Sequence, residues 1–106
     1  MKTYDLYGLT HNDLEGARML VERALGIRFV PHESSFIGDY YLFETAGEES
    51  FKLRSNVDPL DGEPAELDFP DIGVLLYVDG TERAKELEHR LITNIPGLRL
   101  LRRRQL

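Results

Sequence analysis

"IGVLLYVDG", residues 72–80, decides the fold. The run is apolar almost without interruption, and it holds the β-branched residues Ile72, Val74 and Val78. A strand with one wet face alternates apolar and polar residues. A run that does not alternate has the pattern of a central strand covered on both faces. Downstream, Asp79 is placed to cap a helix, with Glu82 at its third position. Ala84, Leu87, Leu91 and Ile95 fall on one face of that helix. "NIPG" ends it, and "LRLLRRRQL" returns as a strand that runs into a basic tail.

Upstream, Thr3–Leu9 alternates and is rich in Tyr and Leu, as a strand is. The segment "THNDLEGARMLVERALG" predicts a helix capped by Asn12, with Glu15 completing a capping box. Leu14, Ala17, Val21, Ala24 and Leu25 share its apolar face, and Gly26 stands where a left-handed glycine would stop it. Ile27–Val30 predicts a short strand halted by Pro31. Phe36–Glu44 and Phe51–Ser55 predict a hairpin joined by "TAGEE". In the second of these strands Phe51 and Leu53 face one side, and Lys52 and Arg54 the other. The order is strand, helix, several strands, helix, strand. It predicts an α+β ferredoxin-like sandwich, with a mainly antiparallel sheet, two helices on one face and an inserted hairpin. A βαβββ module of the glyoxalase type fits the first part, but such modules come in pairs and the chain holds one at most.

The 106 residues suit a single domain that needs no staple to fold. Without cysteine there is no disulfide scaffold, thiol nucleophile or thiolate metal site. No apolar run is long enough for a membrane span. "MKTYDLYGL" lacks a secretory hydrophobic core, so a cytoplasmic protein is expected. Net charge is −6 and unevenly spread. Residues 30–71 hold eleven acids against Lys52 and Arg54, a net of −9, and the rest of the chain carries +3. That asymmetry opposes nucleic acid as a ligand, because phosphate binding needs a basic face.

The acid-rich centre is "NVDPLDGEPAELDFPD", Asn56–Asp71, with six carboxylates, three prolines and no base. The prolines exclude a helix or a central strand. The acids do not follow the alternating spacing of a calcium loop. The histidines, His11, His32 and His89, make no i, i+4 pair. His32-Glu33 is the best catalytic candidate, and a solvated pair is the plainer reading. Ser34-Ser35 lacks a nucleophile elbow, and there is no phosphate-binding glycine motif. Asp79-Gly80-Thr81 matches the start of an aspartic protease motif only by chance. "RRR", Arg102–Arg104, reads as a solvated tail or as a neutraliser of the acidic loop. No enzyme activity, metal or cofactor is expected.

A docking surface remains. Long structureless loops in compact domains are usually functional or disordered. "LDFPD" sets Leu67 and Phe69 among charges, as an interface anchor requires. In "GDYYLFE" one tyrosine faces the core and the other faces out beside Asp39. The expected partner-binding residues are therefore Asp39, Tyr40, Asp61, Glu63, Glu66, Asp68 and Phe69. The whole-chain pattern, from "YDLYGL" and "DLEGARMLVERALGIRF" through "HESSFIGDYYLFE" to "DFPD" and "GVLLYVDGTERAKELEHRL", resembles small bacterial immunity proteins of polymorphic toxin systems, including contact-dependent inhibition. The resemblance implies a cytoplasmic inhibitor that binds one cognate toxin domain, and it assigns no residue roles. An acidic inhibitor suits a basic toxin that acts on nucleic acid or nucleotides. A ferredoxin-like small-ligand or regulatory module is the alternative, and a glyoxalase-like metalloenzyme a more distant one.

Overall fold

A computed structural model describes residues 1–10 and 13–106. Its elements are β1 (Thr3–Leu9), α1 (Leu14–Leu25), β2 (Val30–Ser34), β3 (Gly38–Glu44), β4 (Ser50–Ser55), β5 (Val74–Thr81), α2 (Ala84–Asn94) and β6 (Arg99–Gln105). The six strands form one open sheet in the order β2-β3-β4-β5-β1-β6, with every neighbouring pair antiparallel. The apolar run at 72–80 forms a strand flanked by β4 and β1, as its composition predicts.

Alternation along the strands sorts the side chains into two layers. Val74, Leu76 and Val78 join Tyr7, Leu9, Phe51 and Leu53 beneath the helices, whose Ala17, Val21, Leu87 and Leu91 are buried in the same core. On the other face, Leu75 packs with Leu6 and Ile72. Ala65 and Phe69 of the proline-rich loop cover that second cluster. The run at 72–80 therefore lacks alternation because the loop covers its second face.

The cap of helix α1 falls one residue later than the expected Asn12. Asp13 takes the cap position, with extended backbone, and accepts the Gly16 N–H at 2.6 Å. Asn12 lies outside the described residues, as does His11. Glu15 bonds Arg18 and accepts the Tyr41 hydroxyl at 2.5 Å; its expected capping-box contact with Asn12 falls outside the described residues. Gly26 ends the helix at φ 68°, and its N–H donates to Glu22 O.

Three further expectations need correction. The strand foreseen at 27–30 begins at Val30 and runs through Pro31. It is an edge strand, where a missing N–H can face away from the ladder. Asp79 does not cap α2. It pairs with Ser50 inside β5, which continues to Thr81 through Gly80 at φ 67°. A Cβ on Gly80 would lie 2.7 Å from Glu48 O, so glycine lets the two backbones meet. The Thr81 hydroxyl then accepts the Arg83 N–H at 3.1 Å. Lastly, Arg102–Arg104 belongs to β6 and is not a solvated tail. Arg103 donates two bonds of 2.8 Å to the buried Asp5 and a third contact of 3.0 Å to Glu88 on α2. A buried carboxylate must be paired in this way or pay its desolvation cost.

Candidate protein-docking surface

The acid-rich loop is stitched to the sheet. Asn56, buried at the end of β4, is its clasp. The Asn56 Nδ2 donates to Phe69 O at 2.9 Å and to Ile72 O at 2.8 Å, and its Oδ1 accepts the Glu66 N–H at 2.9 Å. Asparagine suits the position because one carboxamide supplies both donors and the acceptor. The Asn56 N–H itself donates to Gly73 O, so both ends of the loop are closed on the same backbone.

Glu66 forms the second attachment. Its carboxylate accepts the Tyr77 hydroxyl at 2.5 Å and Arg102 Nη1 at 3.2 Å. Burial opposes its charge. The bonds from Tyr77 and Arg102, with the positive charges of Arg102 and Arg54, outweigh that burial and hold the carboxyl below its usual range. Burial, then the Glu66 hydrogen bond, push the Tyr77 phenol well above the usual tyrosine value. One arginine of the "RRR" run thus offsets a loop carboxylate.

The outer part of the loop folds on its own turns. Asp58 Oδ1 accepts the Leu60 N–H, and Asp61 Oδ1 accepts the Glu63 N–H, both at 2.9 Å. The Gly62 N–H donates to Asp58 O, and the Asp58 N–H to Glu63 O. These local closures are typical of Asx turns; Asp61 and Glu63 are exposed, and Asp58 is half-buried.

The seven expected docking residues do not share one environment. Asp61, Glu63 and Asp68 are exposed on the loop. Glu66 is turned onto the sheet, and Phe69 covers Leu6, Ile72 and Leu75, so both serve as attachments of the loop. Asp39 is exposed at the start of β3, where its partner in register is Glu33. Tyr40 points to the opposite face of that strand. It stacks on His32 at 5.3 Å, with Lys52 Nζ 6.0 Å from its ring. Tyr41 turns to the core against Phe29, as alternation requires.

Of the eleven acids between Val30 and Asp71, only Glu48, Glu49 and Glu66 make ion pairs with described bases. The other eight stand uncompensated among the described residues. Phe36, Leu60 and Val57, absent from the sequence-derived set, are exposed near several of these acids. Phe36 was legible as apolar, but it reads as strand until Ser34 is seen to close the turn.

A concavity of about 220 Å³ opens on the loop-covered face beside β6. Tyr4, Leu6, Tyr77, Asp79, Arg102 and Arg104 line it. Burial raises the Asp79 carboxyl above its ordinary value, and the Lys52 charge partly offsets this. Among the described residues, no three His, Asp or Glu side chains gather as a metal site. No described helix is long and apolar enough to cross a membrane. No family model, curated protein or solved structure matches the chain.

Proposed function

We propose that the protein is an immunity-type inhibitor, which binds a cognate bacterial toxin domain through its acidic surface and blocks it in the cytoplasm without catalysis. The observation that carries this reading is the clasped loop with outward, unpaired carboxylates. Preorganisation lowers the ordering cost of binding, and uncompensated charge steers a basic partner into contact. The toxin that fits is a basic enzyme acting on nucleic acid or nucleotides. We read the architecture as a ferredoxin-like sandwich, with β4, β5, β1, β6 and the two helices as its unit; of the expected β3–β4 hairpin, β4 belongs to that unit, and β3 with β2 is the addition at its edge. The order of those four strands and the shared helix-side core support this.

The reading expects a toxin domain encoded beside this gene, and the test is co-expression with it. Rescue of growth and a stable one-to-one complex are expected. Toxicity unchanged by an abundant, folded protein would refute the reading. The pocket beside Tyr4 and Tyr77 supports a second reading, a small-ligand regulatory module. Thermal shifts by small polar metabolites that vanish in Tyr4→Ala, with no binding to the toxin domain, would favour it.

A further inference from the structure

The end of the sheet where β2 and β4 finish and β3 begins carries two turns side by side. In the first, Ser34 Oγ accepts the N–H groups of Phe36 at 3.1 Å and Ile37 at 3.4 Å, closing the β2–β3 turn. The second is the start of the acid-rich loop. A Cβ on Gly38 would lie 3.8 Å from Pro59 Cγ, so the loop rests against the base of the first turn. Arg54 Nη2 reaches Val57 O from β4 at 3.4 Å. This arrangement leaves Phe36 73 % exposed and Leu60 69 % exposed. Scattered surface apolar residues need no explanation, but large ones set on two hydrogen-bonded turns at one end of a sheet do. Around them stand Glu33, Asp39, Asp58, Asp61 and Glu63, none ion-paired with a described base.

We propose that Phe36 and Leu60 are the apolar centre of an interface whose occupant is a cationic amphipathic segment of the partner protein. Its apolar face covers the two side chains, and its Lys and Arg residues reach the carboxylate rim. The charge selects this occupant. A second copy would bring one acidic rim against another, and an anionic membrane or nucleic acid would be repelled. An apolar centre inside a charged rim is the usual arrangement of binding energy at a protein interface. The proposal rests on the inhibitor reading for the partner's identity, and it replaces Phe69 by Phe36 and Leu60 as the anchors.

The experiment is an amide NMR titration with a synthetic helical Leu/Lys peptide. The corresponding Leu/Glu peptide is the control. Shifts confined to residues 33–39 and 57–63 are expected with the Leu/Lys peptide and not with the control. Phe36→Ser/Leu60→Ser should weaken binding at least ~10-fold while retaining the wild-type spectrum elsewhere, as loss of an anchor does. Ile92→Ser, on the exposed side of α2, should change nothing. Shifts elsewhere, or equal affinity in the folded double variant, would overturn the proposal. The neighbouring toxin domain is then titrated in the same way. If it does not bind while the peptide maps to the two turns, the inhibitor reading fails and the surface stands. If it binds and protects other amides, the surface proposal fails and the inhibitor reading stands.

Discussion

Removing the Asn56 side chain should release the acid-rich loop from the sheet. Asn56→Ala deletes three hydrogen bonds, two given to the carbonyls of Phe69 and Ile72 and one taken from the Glu66 N–H. Asn56 is only 4 % exposed, so water cannot replace these bonds without opening the loop. At about 0.5–1.5 kcal/mol net for each bond, the expected loss is about 2–4 kcal/mol. The loss also spreads, because Glu66 must stay in place to hold Tyr77 and Arg102. Urea denaturation measures the loss of stability, and amide exchange at Glu66 and Ile72 locates it. Exchange at both should quicken far more than at Leu76 in β5. A loss below about 0.5 kcal/mol, with unchanged exchange at Glu66, would refute the view that this residue clasps the loop.

Leu76→Ala should cost about 2–5 kcal/mol in chemical denaturation, because Leu76 is fully buried in the helix-side core; under 1 kcal/mol would place β5 at the periphery. Arg103→Met should cost about 3–5 kcal/mol by stranding the buried Asp5, and Asp5→Leu added to it should recover most of the loss; additive losses in the double variant would show that the pair is not a unit. Glu49 is held below its ordinary carboxylate value by the hydrogen bond from Arg83, then by Thr81 and the charges of Arg83 and Lys2, against burial. Its stabilisation is complete above the unfolded value near 4.5 and is lost as pH falls through the lower folded value. Glu49→Gln should therefore flatten part of the acid limb of a stability–pH curve, and an unaltered limb would contradict the assignment.

The fold was legible where one residue type dominates a segment. The unbroken apolar run at 72–80 marked a central strand, and the helical spacing of Leu87 and Leu91 marked the face of α2, with Ile95 buried just past its end. Boundaries were less legible, since Asp13 caps as well as Asn12 would, and Gly80 lets β5 pass beyond Asp79. The acid-rich surface was legible as charge but not as geometry. A carboxylate in a loop reads the same whether it points outward, as Glu63 does, or inward to a tyrosine, as Glu66 does. Only the register of Tyr77 and Arg102 across β5, β1 and β6 separates the two. The surroundings of the expected apolar anchors were illegible for a similar reason, since Leu67 is exposed and Phe69 beside it is half-buried. Phe69 looked like an isolated aromatic among charges, yet it faces the cluster of Leu6 and Leu75.

The central claim is that unpaired carboxylates on a preformed surface draw in a basic toxin domain. Its most direct test is stopped-flow association of that domain with wild-type protein and with Asp39→Asn/Glu63→Gln/Asp68→Asn, at several salt concentrations. None of these three side chains takes part in an ion pair or side-chain hydrogen bond among the described residues. The fold should therefore survive. The account predicts wild-type association at up to about 10⁸ M⁻¹s⁻¹ at low salt, falling steeply as salt rises. The triple variant should associate several-fold more slowly, with a shallower salt dependence and a nearly unchanged dissociation rate. Equal association rates and equal salt dependence in a folded variant would contradict it.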